Sequence, residues 1–310
     1  MGIAFMEIVG HEKILAFLEK ALSSDFLSHC YIFSGPDNIG KGTVARWFAG
    51  RILNTNAVTI ASAPNYFEIR PNKNSIGKEE IGNAIARLSM SAFGGGHKTL
   101  IVESAHQMTI SAANAFLKTL EEPSGKTIII LLTSELGKIL PTIVSRAVVV
   151  RFNPVGQEAL RKLLADKNIA DPKKYINPSF GRPGKMLSLL EDENWQAEKR
   201  TQIEEFYNLF WGDNAGRFRA VAHILEDKDG QKENIGRKID QWLEFARDIF
   251  LIKYKLYDNV AHPSEKKHLE KIAGRATTDN FCGLAKRLIK MRNLIKNNVN
   301  IQLMLENLII

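Results

Sequence analysis

The 310 residues carry 42 Lys and Arg against 34 Asp and Glu, a formal charge of +8, with 45% hydrophobic residues and only 10 prolines. That balance excludes a disordered or fibrous chain, and the length exceeds what one hydrophobic core usually organises, so two or three domains are expected. The excess positive charge tolerates a polyanionic partner, but it is dispersed and forms no compact basic run interleaved with aromatics, so it reads mainly as solvated helix faces.

In chain order, the N-terminal MGIAFMEIVGHEK has no basic segment leading into a long apolar core, and no apolar stretch reaches the roughly 18 residues of a spanning helix, which predicts a cytoplasmic protein without a membrane partner. Cys30 and Cys282 stand far apart, with no second Cys or His at metal-ligand spacing, so neither a zinc site nor a disulfide framework is expected. The first strand-like run is CYIFSG at 30–35, apolar enough for both faces to be buried. GPDNIGKGT follows, Gly35 to Thr43, fitting G-x-x-x-x-G-K and leading into an amphipathic helix.

In such a loop the glycines, here Gly35 and Gly40, let the backbone bend so that successive N–H groups face phosphate oxygens. The helix N-terminus adds positive potential, and Lys41 can bridge the terminal phosphates. The complete motif has Ser or Thr after the lysine, because that hydroxyl ligates magnesium; here the position is Gly42. Thr43 is one residue further on, turned about 100° round the helix, and does not simply substitute. Two readings stay open for the loop: a nucleotide site that lacks its metal ligand, or a strand-to-helix turn that keeps its shape and binds nothing.

Pro64 and Pro71 punctuate a loop region, and Glu79 to Ser91 then sets Ile81, Ile85 and Leu88 on one helical face. The turn GGGH at 94–97 enters the second strand-like run, KTLIVES at 98–104. In LIVESAH, Glu103 stands where a magnesium-organising aspartate would end the strand, and Ser104 stands where a catalytic base would follow. A serine hydroxyl accepts no proton near neutral pH without its own activator, so hydrolysis is expected to be lost.

Ser111 to Glu122 reads as a helix with Ser111 as its N-cap, ending before Pro123. TIIILLTS at 127–134 and AVVVRF at 147–152 complete a set of four strands expected to be buried on both faces. This alternation predicts a parallel sheet with helices on both faces. Asn153 and Pro154 break the pattern, and no convincing strand follows. Residues 155–192 read as a small helical unit around the turn GRPG at 181–184. Longer amphipathic helices then carry Trp195, Phe206, Phe210, Trp211, Trp242, Phe245 and Phe250, whose helical spacing predicts core positions rather than base-stacking platforms.

The order of these motifs resembles the delta-prime subunits of bacterial DNA polymerase III clamp loaders over essentially the whole chain. IVGHEKILAFLEKAL (8–22), LSHCYIFSGP (27–36), ISAANAFLKTLEEPSGKTIIILLTS (110–134) and TIVSRAVVVRF (142–152) carry the resemblance, and WLEFARDIFLIKYK (242–255) with NNVNIQLMLENLII (297–310) is similar to the family's helical collar. It implies an α/β AAA+ domain at 1–154 with a degenerate phosphate loop, a small helical lid at 155–196 and an all-α collar at 197–310 that oligomerises. It further implies a subunit of a DNA-directed DNA polymerase holoenzyme without ATPase activity of its own. Such a subunit closes a hetero-pentameric ring with gamma/tau and delta subunits and helps load the sliding clamp on primed DNA.

Carried over by position, Arg146 of Ser145-Arg146-Ala147 would be an arginine finger in the ATP site of a neighbouring gamma or tau subunit, spreading positive charge over the developing γ-phosphate charge. No cofactor is required by this reading, and ATP or ADP binding by the chain itself stays open. Three departures stand out. Residues 51–67 lack the family's four-cysteine zinc module, Gly184 of GRPGKML replaces a sensor arginine of active relatives, and Ala147 replaces a cysteine. The alternatives are an active gamma/tau-like AAA+ motor, in which Glu103 and Thr43 rescue catalysis, and a nucleic-acid-binding AAA+ helper outside replication.

Overall fold

The computed structural model describes residues 8–23, 27–56, 59–72, 75–165, 167, 169–226, 231–275, 277–295 and 300–309. They divide into two compact units, one formed by Met1–Asn168 and Gly181–Lys185, the other by Ile169–Phe180 and Met186–Ile310.

In the first unit, helix α1 (Glu12–Ser23) precedes β1 (Cys30–Ser34), which leads through the phosphate-loop segment into α2 (Lys41–Leu53). After β2 (Tyr66–Ile69), α3 (Lys78–Ser89), β3 (Lys98–Val102), α4 (Ile110–Glu121) and β4 (Thr127–Thr133) alternate, and the short α5 (Pro141–Val144) turns into β5 (Val148–Arg151). All pairings are parallel, in the order β2-β3-β4-β1-β5. Strand side chains alternate faces, so Tyr31 and Phe33 of β1 join the core under α1 and α2, whereas Cys30 and Ile32 join the core under α3 and α4. Helices therefore cover both faces, as the alternating pattern predicts. Each fully buried Phe or Ile in these two cores contributes roughly 1.5–3 kcal/mol of transfer free energy.

Four local expectations are corrected. The region punctuated by Pro64 and Pro71 contains a fifth strand, β2, an edge strand of four residues, too short for period-2 alternation to show. β5, expected to be buried on both faces, is the opposite edge and only Val150 in it is fully buried, because a strand with one neighbour leaves part of its surface uncovered. The N-cap of α4 is Thr109, whose hydroxyl accepts from Ala112 N–H, and not Ser111. In the second unit Phe250, expected in the core, is 37% exposed and lies beside the ring of Tyr254 at 4.7 Å.

That second unit is helical. One core of it gathers Phe206 and Leu209 from helix Trp195–Trp211, Trp242 and Phe245 from helix Gln231–Lys253, and Phe281, Leu284 and Leu288 from helix Thr278–Leu294. Trp195 is buried, and Phe210 and Trp211 pack half-buried against that core. Asp248, fully buried, accepts the N–H groups of Ala261 and His262 and pairs with His262 Nδ1 at 2.8 Å, which ties the connecting loop to its helix. Among the described residues, none lies in a strand beyond β5, and no helix is long and apolar enough to cross a membrane.

Candidate functional site

The phosphate-loop segment is built as its sequence demands. Gly35 N–H donates to Thr133 O at 3.1 Å, which fastens the loop's start to the end of β4. A side chain there is barred by packing, since a Cβ on Gly35 would lie 2.5 Å from Phe152 O. Asn38 and Gly40 then take left-handed backbone (φ 61° and 104°), the second being a conformation that favours glycine, and the chain enters α2. His11 Nε2 lies 2.9 Å from Ile39 O, and its ring meets Phe152 edge-on at 4.9 Å.

Within this cradle Lys41 does not face outward. It is buried, and its Nζ donates to Gly35 O at 2.6 Å and Pro36 O at 2.8 Å, with Asp37 Oδ1 at 3.5 Å. Burial pulls the ammonium below its ordinary pKa, with Asp37 acting in the opposite direction. The loop's own carbonyls thus take up the donors that would serve phosphate oxygens.

At Gly42, where a magnesium-ligating hydroxyl would project, a Cβ would stand 3.2 Å from Nη1 of Arg46. Arg46 lies four residues on, on the same face of α2. Its Nη2 donates to Glu103 Oε1 at 2.5 Å and to Glu68 Oε1 at 2.7 Å, and its Nε to Glu68 Oε2 at 3.3 Å. Arg70 closes the cluster, with Nη2 2.9 Å from Glu68 Oε1 and Nε 3.4 Å from Glu103 Oε2. Tyr66 O–H also donates to Glu68.

Burial by itself would raise the Glu68 pKa, but the hydrogen bonds from Arg46 and Tyr66 and the charge of Arg46 hold it at about 2. The Tyr66 hydroxyl is pushed well above its ordinary value, by burial first and then by the hydrogen bond to Glu68. Arg46 is held firmly in its charged form, because the two carboxylates outweigh its desolvation.

Ser104 adopts left-handed backbone (φ 48°), and its carbonyl accepts from Gln107 N–H at 2.8 Å. Two residues on, His106 Nδ1 lies 3.2 Å from the hydroxyl of the buried Thr133, and burial lowers the His106 pKa, partly offset by the charge of Glu135. Thr43 is half-buried on α2. Gly184 N–H donates to Asn38 O at 2.9 Å, and a Cβ at 184 would meet that same oxygen at 2.9 Å. An arginine at this position therefore requires the loop to move. Among the described residues, no group of three or more His, Cys, Asp or Glu is arranged to hold a metal ion.

The structure thus brings Gly35, Gly40, Lys41, Gly42, Glu103 and Ser104 to one end of the sheet, at the C-terminal ends of β1 and β3. Arg146 stands apart from that group. It follows α5, its Nη1 donates to Thr142 O at 2.9 Å and its Nη2 to Glu121 Oε1 at 2.7 Å, and both side chains of this ion pair are at least a third exposed. Sequence reasoning missed Arg46, Glu68, Arg70, His106 and Thr133. The i, i+4 spacing of Gly42 and Arg46 was the available signal; Glu68 and Arg70 lie on the strand that short length concealed.

The family model described as "DNA polymerase III, delta subunit" matches residues 10–156. Subunit delta' of DNA polymerase III from Bacillus subtilis is 22% identical over 312 residues, covering 96% of this chain and 94% of that protein. Subunit tau from the same organism is 33% identical over 170 residues, covering 50% of this chain and 30% of that protein. A crystal structure of a DNA polymerase III gamma subunit-related protein from Thermotoga maritima superimposes with a TM-score of 0.51 at 21% identity, covering 95% of this chain and 97% of that one, a likeness of fold.

Proposed function

Because the chain belongs to the delta-prime family of DNA polymerase III clamp loader subunits, with an AAA+ sheet and a helical C-terminal region, we propose that it acts in the loader as a non-hydrolysing subunit that lends Arg146 to a neighbour. The observation that carries this reading is the internal engagement of the two groups an ATPase needs. Lys41 is bonded to loop carbonyls, and Glu103 is paired with Arg46. Glycine at 42 offers no hydroxyl to ligate magnesium, and serine at 104 offers no carboxylate to deprotonate water. A gamma/tau-like motor is the weaker reading for the same reason.

The finger assignment is supported by where Arg146 sits. It is presented at the corner between α5 and β5 and held by an exposed pair with Glu121, and such pairs contribute about 0–1 kcal/mol. Leaving Glu121 for a neighbour's γ-phosphate therefore costs little, whereas a guanidinium on the developing charge is worth far more in a site that excludes water. In this proposal the helical segments from 155 onward form the lid and the collar, which joins gamma/tau and delta subunits in a ring of five, and the assembled ring, not this chain by itself, meets the sliding clamp and primed DNA.

The test is reconstitution with the gamma or tau and delta subunits. Arg146→Ala is expected to fold normally yet reduce turnover at the adjoining ATP site by about 10²–10³-fold, the usual effect of removing one transition-state donor. This appears as the loss of that site's share of the DNA-stimulated rate, while Glu121→Ala leaves the rate intact. Equal ATPase rates with wild-type and Arg146→Ala chains would remove the assignment.

A further inference from the structure

An AAA+ sheet implies a nucleotide-bound magnesium between the residue after the loop lysine and the acidic residue ending β3. The residues present do not fit it. At the first of these positions a hydroxyl is replaced by hydrogen, and the space in front of Gly42 holds Arg46 Nη1, 3.2 Å from where a Cβ would be. At the second, Glu103 is 2.5 Å from Arg46 Nη2.

One guanidinium thus stands between Gly42 and Glu103, the two positions that would flank such a cation. We infer that Arg46 is a built-in replacement for that cation: a fixed positive charge that neutralises Glu103 and Glu68 without magnesium or nucleotide. This deepens the reading of a non-hydrolysing subunit and rests on it.

Three features support the substitution. The cluster balances internally, with the guanidinium groups of Arg46 and Arg70 facing the carboxylates of Glu68 and Glu103. The Arg46, Glu68 and Glu103 side chains retain only 23%, 16% and 28% of their exposure, so an uncompensated carboxylate pair here would be strongly disfavoured. Glycine at 42 also suits the arrangement, since a Cβ there would stand 3.2 Å from Arg46 Nη1 and the guanidinium would have to give by a few tenths of an ångström. Restoring only the hydroxyl and the base, by Gly42→Thr with Ser104→Glu, consequently leaves the cation's place filled. Gly42 leaves the room that the Arg46 guanidinium occupies, a single arrangement made of both residues. Its structural consequence is that β2, β3 and α2 are cross-linked electrostatically whatever the nucleotide state of the ring.

The experiment measures Mn²⁺ binding to the purified full-length chain by electron paramagnetic resonance, without nucleotide, in wild type, Glu103→Gln, Arg46→Met and Arg46→Met/Glu103→Gln. Methionine keeps the apolar stem of the arginine and removes its charge. The expected result is at least tenfold tighter Mn²⁺ binding by Arg46→Met than by wild type, abolished again in the double variant, with a melting temperature that Mn²⁺ raises only in Arg46→Met.

Equal Mn²⁺ affinity of Arg46→Met and wild type overturns the inference. So does Mn²⁺ binding by wild type that Glu103→Gln removes, a comparison that holds even if Arg46→Met does not fold. Neither of these outcomes touches the non-hydrolysing reading, which fails separately if the wild-type chain releases phosphate from Mg-ATP.

Discussion

Acid should weaken the α/β unit through one identifiable carboxylate. Glu68 has its pKa displaced from an ordinary 4.5 to about 2 in the folded chain, because Arg46, Tyr66 and Arg70 bond its charged form more strongly than burial penalises it. The depressed value fixes the sign: the unfolded chain takes up this proton first, so the stabilisation is fully present above pH 4.5 and is lost as pH falls from there towards 2. At 1.36 kcal/mol per pH unit, the displacement corresponds to on the order of 3 kcal/mol, of which about 2 kcal/mol has gone by pH 3.

The Glu68 side chain is only 16% exposed, so solvent screening discounts that figure modestly. The assay is urea unfolding at pH 6 and pH 3, followed on amide signals of β2, β3 and the residue after β3, Glu103, whose N–H is bonded to Ile69 O at 2.9 Å. Glu68→Gln is expected to start less stable at pH 6 and to lose about 2 kcal/mol less than wild type on acidification. The same acid-induced loss in both proteins would refute the assignment of the charge cluster as a stabilising element.

Gly35→Ala is expected to destabilise the α/β unit by about 1–3 kcal/mol with no nucleotide present, because the added methyl would sit 2.5 Å from a main-chain oxygen at Phe152 that no rotamer change can move; a urea midpoint unchanged from wild type would show that the loop relaxes freely. The two cysteines should differ in thiol reactivity under native conditions. Cys30 is buried in the sheet with its pKa pushed up to about 12 by desolvation, whereas Cys282 is exposed, so a disulfide reagent near neutral pH should label one thiol rapidly and the other only on unfolding. Rapid labelling of both would contradict the burial of β1.

Patterns that act over short range were readable from residue order. β1, β3 and β4 are long apolar runs, and the strand-loop-helix at 30–53 follows from glycine placement and a helical stripe, so the parallel sheet with helices on both faces was legible before any coordinates. Glu103 and Ser104 could be singled out from sequence because chemistry, not packing, defines what an ATPase would need at those positions. β2 was not legible: four edge residues with one covered face give too little periodicity to stand out from the loop around them. Phe250 was misplaced for a related reason, since helical spacing names a stripe but not where a neighbouring helix stops covering it.

By itself, the order of residues determined which chemical groups stand at positions 42 and 104, because a glycine has no hydroxyl and a serine no carboxylate in any fold. Only the tertiary structure decided what fills the gap. Arg46 and Glu103 are 57 positions apart in sequence, and their 2.5 Å contact exists because α2 packs against the sheet beside β3. A charge fixed there by packing does what a free ion would otherwise do, and that pairing depends on distances through space that no spacing along the chain records.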